Sequence, residues 1–154
     1  MAKNKLLTRD NLQKRQHVED ATCFFCNESE SIEHLFFGCV VAKELWRVIG
    51  DFSNSQPWMS ISNILEWWSS NKNRPADCLL HSAALWALWK YRNDMYFNRI
   101  PWSGMQVLWR KTAATLDSWA IRCSDPVKGK VLIMVRKLEQ MARSPPLLLW
   151  PDPG

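Results

Sequence analysis

Cys23, Cys26, His34 and Cys39 follow one another as C-x2-C-x7-H-x4-C, three thiols and one imidazole inside seventeen residues. Soft thiolate and neutral imidazole donors in a set of four are what a closed tetrahedral zinc site uses. The C-x2-C turn wraps two sulfurs around one side of a metal, and His34 and Cys39 can complete the other. Four protein ligands leave no open position for water or substrate. The expected ion is therefore one structural Zn2+, whose ligation energy contributes to folding. The competing readings are buried free cysteines with a chance histidine, or a Cys23–Cys26 disulfide, which would leave Cys39 and His34 without a role.

The elements that must position these ligands are legible around them. A short helix over about 31–37, with Ser31 able to cap it, would turn His34 inward before Gly38 lets the chain turn. Beyond Cys39 the apolar residues Val41, Leu45, Trp46, Val48 and Ile49 recur at helical spacing, and Gly50 stands where a helix often ends. Upstream, Thr8 and Asp10 mark a helix start, with Leu12 facing the core and Arg9, Lys14 and Arg15 facing water. The polar run 51–57 separates a zinc-binding module with flanking helices, residues 1–52, from a helical body, residues 57–143.

That body reads as helix throughout. Trp58, Ile61, Ile64, Leu65 and Trp68 form one amphipathic stripe. Residues 76–99 are apolar on nearly every face, through Leu79, Leu80, Ala83, Ala84, Trp86, Ala87 and Leu88, so this helix is expected to be central and buried. Residues 104–123 carry a stripe of Met105, Leu108, Trp109, Leu116, Trp119 and Cys123. Val131 to Val135 could be strand by composition, but Leu138 and Met141 continue it at helical spacing. A tail, residues 144–154, is rich in proline and holds Leu147 to Trp150, an apolar segment that either docks into a groove or offers itself to a partner. The predicted fold is mainly α, a small knuckle-like metal module packed on a Trp-rich helical bundle.

Composition agrees. In 154 residues there are ten tryptophans, only five glycines and 47% apolar residues, which suits packed helices. An odd cysteine count, no signal peptide and no apolar run long enough to span a membrane point to a reducing compartment, nucleus or cytoplasm, and leave organelle import open. The formal net charge of +5 is concentrated at the ends. Residues 1–20 hold five basic against three acidic groups, and residues 121–143 hold six, Arg122, Lys128, Lys130, Arg136, Lys137 and Arg143, against two. Such ends can meet phosphate, or simply keep a Trp-rich protein in solution.

The run Leu7-Thr8-Arg9-Asp10-Asn11-Leu12, then C-x2-C, then Glu33-His34-Leu35-Phe36-Phe37-x-Cys39 followed by Trp46, resembles the zinc-binding domain of plant non-LTR retrotransposon reverse transcriptases. Trp86-x2-Trp89-x2-Arg92-Asn93-x3-Phe97 is similar to the signature of the helical segment that commonly follows that domain. The resemblance implies a domain that lies downstream of a polymerase and helps engage template nucleic acid. No Tyr-x-Asp-Asp pair and no spaced acidic set for ribonuclease H chemistry occurs, so a stand-alone, non-enzymatic derivative of such an element is expected.

Two function classes follow. In the first, Phe24, Phe25 or Phe36 stacks on unpaired bases of single-stranded RNA or DNA, while Arg92 and the basic Lys128, Lys130, Arg136 and Lys137 contact phosphate. In the second, the metal is purely structural and exposed tryptophans, or the tail through Trp150, bind or block a partner protein. Arg92 and Asn93 also suit a purely structural bridge within the helical body. Cys78 and His81, three apart on one helix, lack further ligands and read as a core thiol and a half-exposed imidazole. No catalytic triad or phosphate-binding glycine loop is present, and nothing in the sequence fixes an oligomeric state.

Overall fold

A computed structural model describes residues 7–13 and 21–144. Six α-helices appear there: α1 (Arg9–Gln13), α2 (Val40–Ser53), α3 (Ile61–Ser70), α4 (Pro75–Phe97), α5 (Met105–Ala120) and α6 (Asp125–Arg143). Between α1 and α2 lie a narrow hairpin, closed by a single antiparallel bridge between Thr22 and Ser29, and one turn of π-helix, His34–Gly38. The fold is mainly α with the cysteine and histidine module at one side, as the sequence predicts. No β-strand occurs among the described residues.

The helix boundaries follow local chemistry. Ser60 caps α3, its hydroxyl accepting from the Asn63 N–H. Pro75 and Pro126 sit in the first turns of α4 and α6, where a missing N–H costs nothing. The predicted end of α2 at Gly50 is three residues short. The helix runs to Ser53 and is closed by Asn54 in the left-handed region, φ 49°. Gly50 is needed for another reason: a Cβ there would stand 2.8 Å from the Ser55 carbonyl oxygen, where the connector folds back over the helix. Gly38 likewise is no left-handed hinge, since the positive-φ glycine of the described chain is Gly104.

Helices α4, α5 and α6 pack as a bundle, and α2 lies against α4. One core runs from Cys23 to Ala142 and takes in residues on both sides of the 51–57 connector. The buried face of α4 comprises Leu80, Ala83, Ala84, Ala87, Leu88, Tyr91 and Met95. The helix is not buried on every side as expected, because Trp86 remains 48% exposed. Helix α3 departs further from its predicted face: only Ile64 is buried, and Ile61 and Leu65 point outward.

Several polar groups are sealed into this core, the two largest being His81 and Arg92. His81, expected to be half-exposed, is fully buried. Trp58, Trp67 and Trp46 surround its ring at 5.2, 4.8 and 6.3 Å between centroids. The Trp68 indole N–H, which can only donate, points at Nδ1. The proton of the neutral ring therefore lies on Nε2, toward the Ser53 hydroxyl, which in turn donates to the Ile49 carbonyl. Burial, with the Arg74 cation adding to it, lowers the His81 pKa to about 4. Arg92, the second sealed group, belongs to the site described next.

Candidate metal centre

The hairpin holds the first two ligands. Cys23 N–H donates to the Glu28 carbonyl and Phe25 N–H points at the Cys23 sulfur, so the chain curls around that sulfur. Glu30 N–H donates to the Ala21 carbonyl and pins the base of the hairpin. The next residue, Ser31, caps the following helical turn by accepting from the His34 N–H. The predicted short helix is present, but its last turn is wider than an α-turn: Cys39 N–H donates to the His34 carbonyl, five residues back. This π geometry sets His34 and Cys39 against the hairpin, and π-turns are frequent at functional sites.

The four donor atoms all lie within 4.8 Å of one another. Cys39 Sγ is 3.9 Å from both Cys23 Sγ and Cys26 Sγ, and His34 Nε2 is 3.2 Å from Cys26 Sγ. Sulfurs bound at about 2.3 Å to one tetrahedral centre stand about 3.8 Å apart, so the spacing fits a zinc ion and not a disulfide. All the cysteines are free. The other imidazole nitrogen, Nδ1, faces the exposed Glu28 carboxylate at 3.5 Å, the arrangement that orients a ligating histidine. Without a cation the set resists charging. The Cys39 thiol and burial push the Cys23 pKa far above the usual thiol range, burial raises that of Cys26, and burial lowers that of His34. A dication placed among the sulfurs would reverse that preference and release their protons.

Residues 1–46 match the family described as zinc-binding in reverse transcriptase. The matched stretch carries the Cys23, Cys26, His34 and Cys39 cluster. The match covers 46 of 154 residues and takes in no catalytic domain. No curated protein and no solved structure matches the chain.

Several residues singled out for outside contacts are used inside. Phe25 is buried between Tyr91 and Trp102, at 6.1 and 5.2 Å between ring centroids, and Phe36 is buried against Trp89. Neither ring has a face free for a base, because the small module has no core of its own and borrows that of the helices. Phe24 is half-buried beside Tyr96, with the Arg9 guanidinium 3.8 Å above its ring. Arg9, expected to face water, is instead half-buried over this ring.

Arg92 is 0% exposed, which puts its guanidinium out of reach of a phosphate. Its guanidinium grips the carboxylate of Glu30, itself 1% exposed, in a two-pronged pair with Nε 3.1 Å from Oε2 and Nη2 on Oε1. The Arg9 backbone N–H adds a third donor to the same carboxylate, and Nη1 of Arg92 donates to Asn93. Removing one partner from such a buried pair costs about 3–5 kcal/mol. Sequence reasoning missed Glu30, which stands among Glu28, Ser29, Ser31 and Glu33 with nothing to set it apart from a solvated acid.

On α6, Lys130, Arg136 and Lys137 are exposed and Lys128 partly so. They lie on a helix whose neighbours are α5 and α4, with Lys137 reaching over the Phe52 ring of α2. They do not converge on the metal cluster. Trp150 and the rest of the tail, like Lys14 and Arg15, lie outside the described residues. Among the described residues no helix is long and apolar enough to cross a membrane.

A groove that no sequence pattern foretold lies between α3 and α4. Phe36 and Ile64 lie at its base, Leu65, Trp68, Trp86 and Trp89 along its sides, and Trp119 of α5 also lines it, around a volume of about 400 Å³. None of its lining residues is charged. Leu65 and Trp86 are 50% and 48% exposed there, so both apolar side chains stay in contact with water.

Proposed function

We propose that the chain is a non-enzymatic zinc-binding adaptor, in which one zinc ion holds Cys23, Cys26, His34 and Cys39 and the helical body grips the apolar face of a partner protein's helix. The uncharged groove between α3 and α4 carries this reading. Its walls are two helices presenting Ile61, Leu65 and Trp68, and Ser82, Trp86 and Trp89, at three- and four-residue steps, with Leu85 beside them, the relief into which a helix lays side chains at matching intervals. Half-exposed tryptophan supplies the large contact area that dominates such interfaces.

A second reading rests on α6. Lys130, Arg136, Lys137 and Arg143 are exposed and make no ion pair among the described residues, so single-stranded nucleic acid held by its phosphates is the alternative occupant of the protein's surface.

One experiment separates the two. The chain, a Leu65→Asp/Trp86→Ser groove variant and a variant with Lys128, Lys130, Arg136 and Lys137 all changed to Ala serve as bait in nuclease-treated native extract. Each is also titrated with single-stranded RNA at two salt concentrations. The groove reading expects a protein captured by the chain and by the fourfold variant but not by the groove variant. Salt-sensitive RNA binding lost only in the fourfold variant, with no groove-dependent capture, would overturn it.

A further inference from the structure

Glu30 occupies the joint between the two halves of the ligand set. Its N–H closes the hairpin that presents Cys23 and Cys26, and the next residue, Ser31, caps the turn that presents His34 and Cys39. Whatever fixes Glu30 therefore fixes one pair of donors relative to the other. Besides the Arg9 N–H, what fixes it comes from 62 residues away, the two-pronged Arg92 guanidinium of α4. We propose that Arg92 is a positioning residue for the metal site: through Glu30 it holds the two ligand pairs at ligating distance, so that metal occupancy and docking of the zinc module on α4 form one coupled equilibrium.

The surroundings make the clasp a demanding one. Arg92 and Glu30 are both sealed from water, so neither can exchange its partner for solvent if the module shifts. The guanidinium also lies 5.5 Å from the Trp89 ring, 5.2 Å from Tyr96 and 5.7 Å from Phe24. Phe24 and Phe25 come from the C-x2-C turn itself, and Phe25 reaches Tyr91, so the hairpin is tied to α4 both at its ligand turn and at its base. A site held at two points is pre-organised for an ion. By reciprocity, an ion that needs this arrangement tightens the clasp by the same factor that the clasp tightens the ion.

The inference rests on the zinc reading of the cluster, and the test tells their failures apart. The whole chain, Glu30→Gln, Arg92→Met and the double variant are titrated with Co2+, whose visible absorption reports tetrahedral thiolate ligation, and the cobalt is then displaced with Zn2+. Each single change should weaken affinity about ten- to a hundredfold, the range found when partners of metal ligands are removed. The double variant should lose no more than the weaker single one, and the absorption bands should keep their positions. Thermal melting with chelator and with metal supplies the second readout: coupling predicts a larger loss of melting temperature in the metal-loaded form. Should Arg92→Met fail to fold, Glu30→Gln and Arg92→Lys decide, since lysine keeps the charge and loses the fork. Normal affinity in these variants, with melting lowered equally in both forms, overturns the inference alone. A wild-type chain that binds no cobalt or zinc overturns the zinc reading and the inference with it.

Discussion

His81 should make the helical body sensitive to mild acid. The ring is neutral in the fold, with the Trp68 N–H directed at Nδ1, so a proton added there would meet another donor inside a box of tryptophans. Its pKa is lowered from 6.5 to about 4. Above pH 6.5 folded and unfolded chains are both neutral at this position and the group leaves stability independent of pH. As pH falls from 6.5 toward 4 the unfolded chain takes up a proton that the folded chain refuses, and stability drops. The loss is about 2 kcal/mol at pH 5 and levels off near 3 kcal/mol below pH 4. Urea denaturation at pH 7.5 and pH 5, followed by tryptophan fluorescence, measures it. His81→Gln keeps an acceptor for Trp68 and a donor for Ser53. It should be less stable at pH 7.5, by about 1–2 kcal/mol, and lose about 2 kcal/mol less on acidification. Protonation of the metal ligands is common to both proteins and cancels in the difference. Equal acid losses in the two would refute the reasoning.

Gly50→Ala should destabilise the protein, although alanine in a helix interior is normally worth about 1 kcal/mol over glycine. The new Cβ would stand 2.8 Å from the Ser55 carbonyl oxygen, whose residue is tied back by its own N–H to the Gly50 carbonyl, so a net loss of about 1 kcal/mol or more is expected in the same denaturation assay. A gain would mean that the connector yields freely. Metal analysis should find one zinc per chain, less in Cys26→Ser or Cys39→Ser. Chelation should strip hydrogen-exchange protection from residues 21–39 before α5 and α6, and simultaneous loss everywhere would contradict a local role for the ion.

What the sequence made legible was what leaves a pattern along the chain. Ligand spacing, helical periodicity and proline placement are local signals, and they located Cys23 to Cys39 and the long helices within a few residues. The errors are of a different kind. Gly50 looked like a helix end because glycine is common there, but its reason lies in a chain segment folding back from Ser55. Phe25 and Phe36 looked like stacking residues because they flank a zinc knuckle, yet burial depends on Tyr91, Trp102 and Trp89, far along the chain. Leu65 belongs to the apolar stripe of its helix yet lies in an open groove, since periodicity marks an apolar face without saying what covers it.

The arginine of the Trp-x2-Trp-x2-Arg-Asn run shows how far such non-local pairing reaches into function. Read alone, an Arg-Asn pair on a basic chain suggests phosphate, and a solvated acid such as Glu30 suggests nothing. Joined across 62 residues they neutralise each other inside the protein, which removes Arg92 from any nucleic-acid surface, while exposed basic residues without an ion pair among the described residues stand on α6, a helix packed on α5 and α4. The residues that would read bases at the knuckle are thus spent on holding it to α4. On the proposed reading the zinc module acts on a partner through the helices it organises, and the groove that its own Phe36 helps to line is where that organisation reaches the surface.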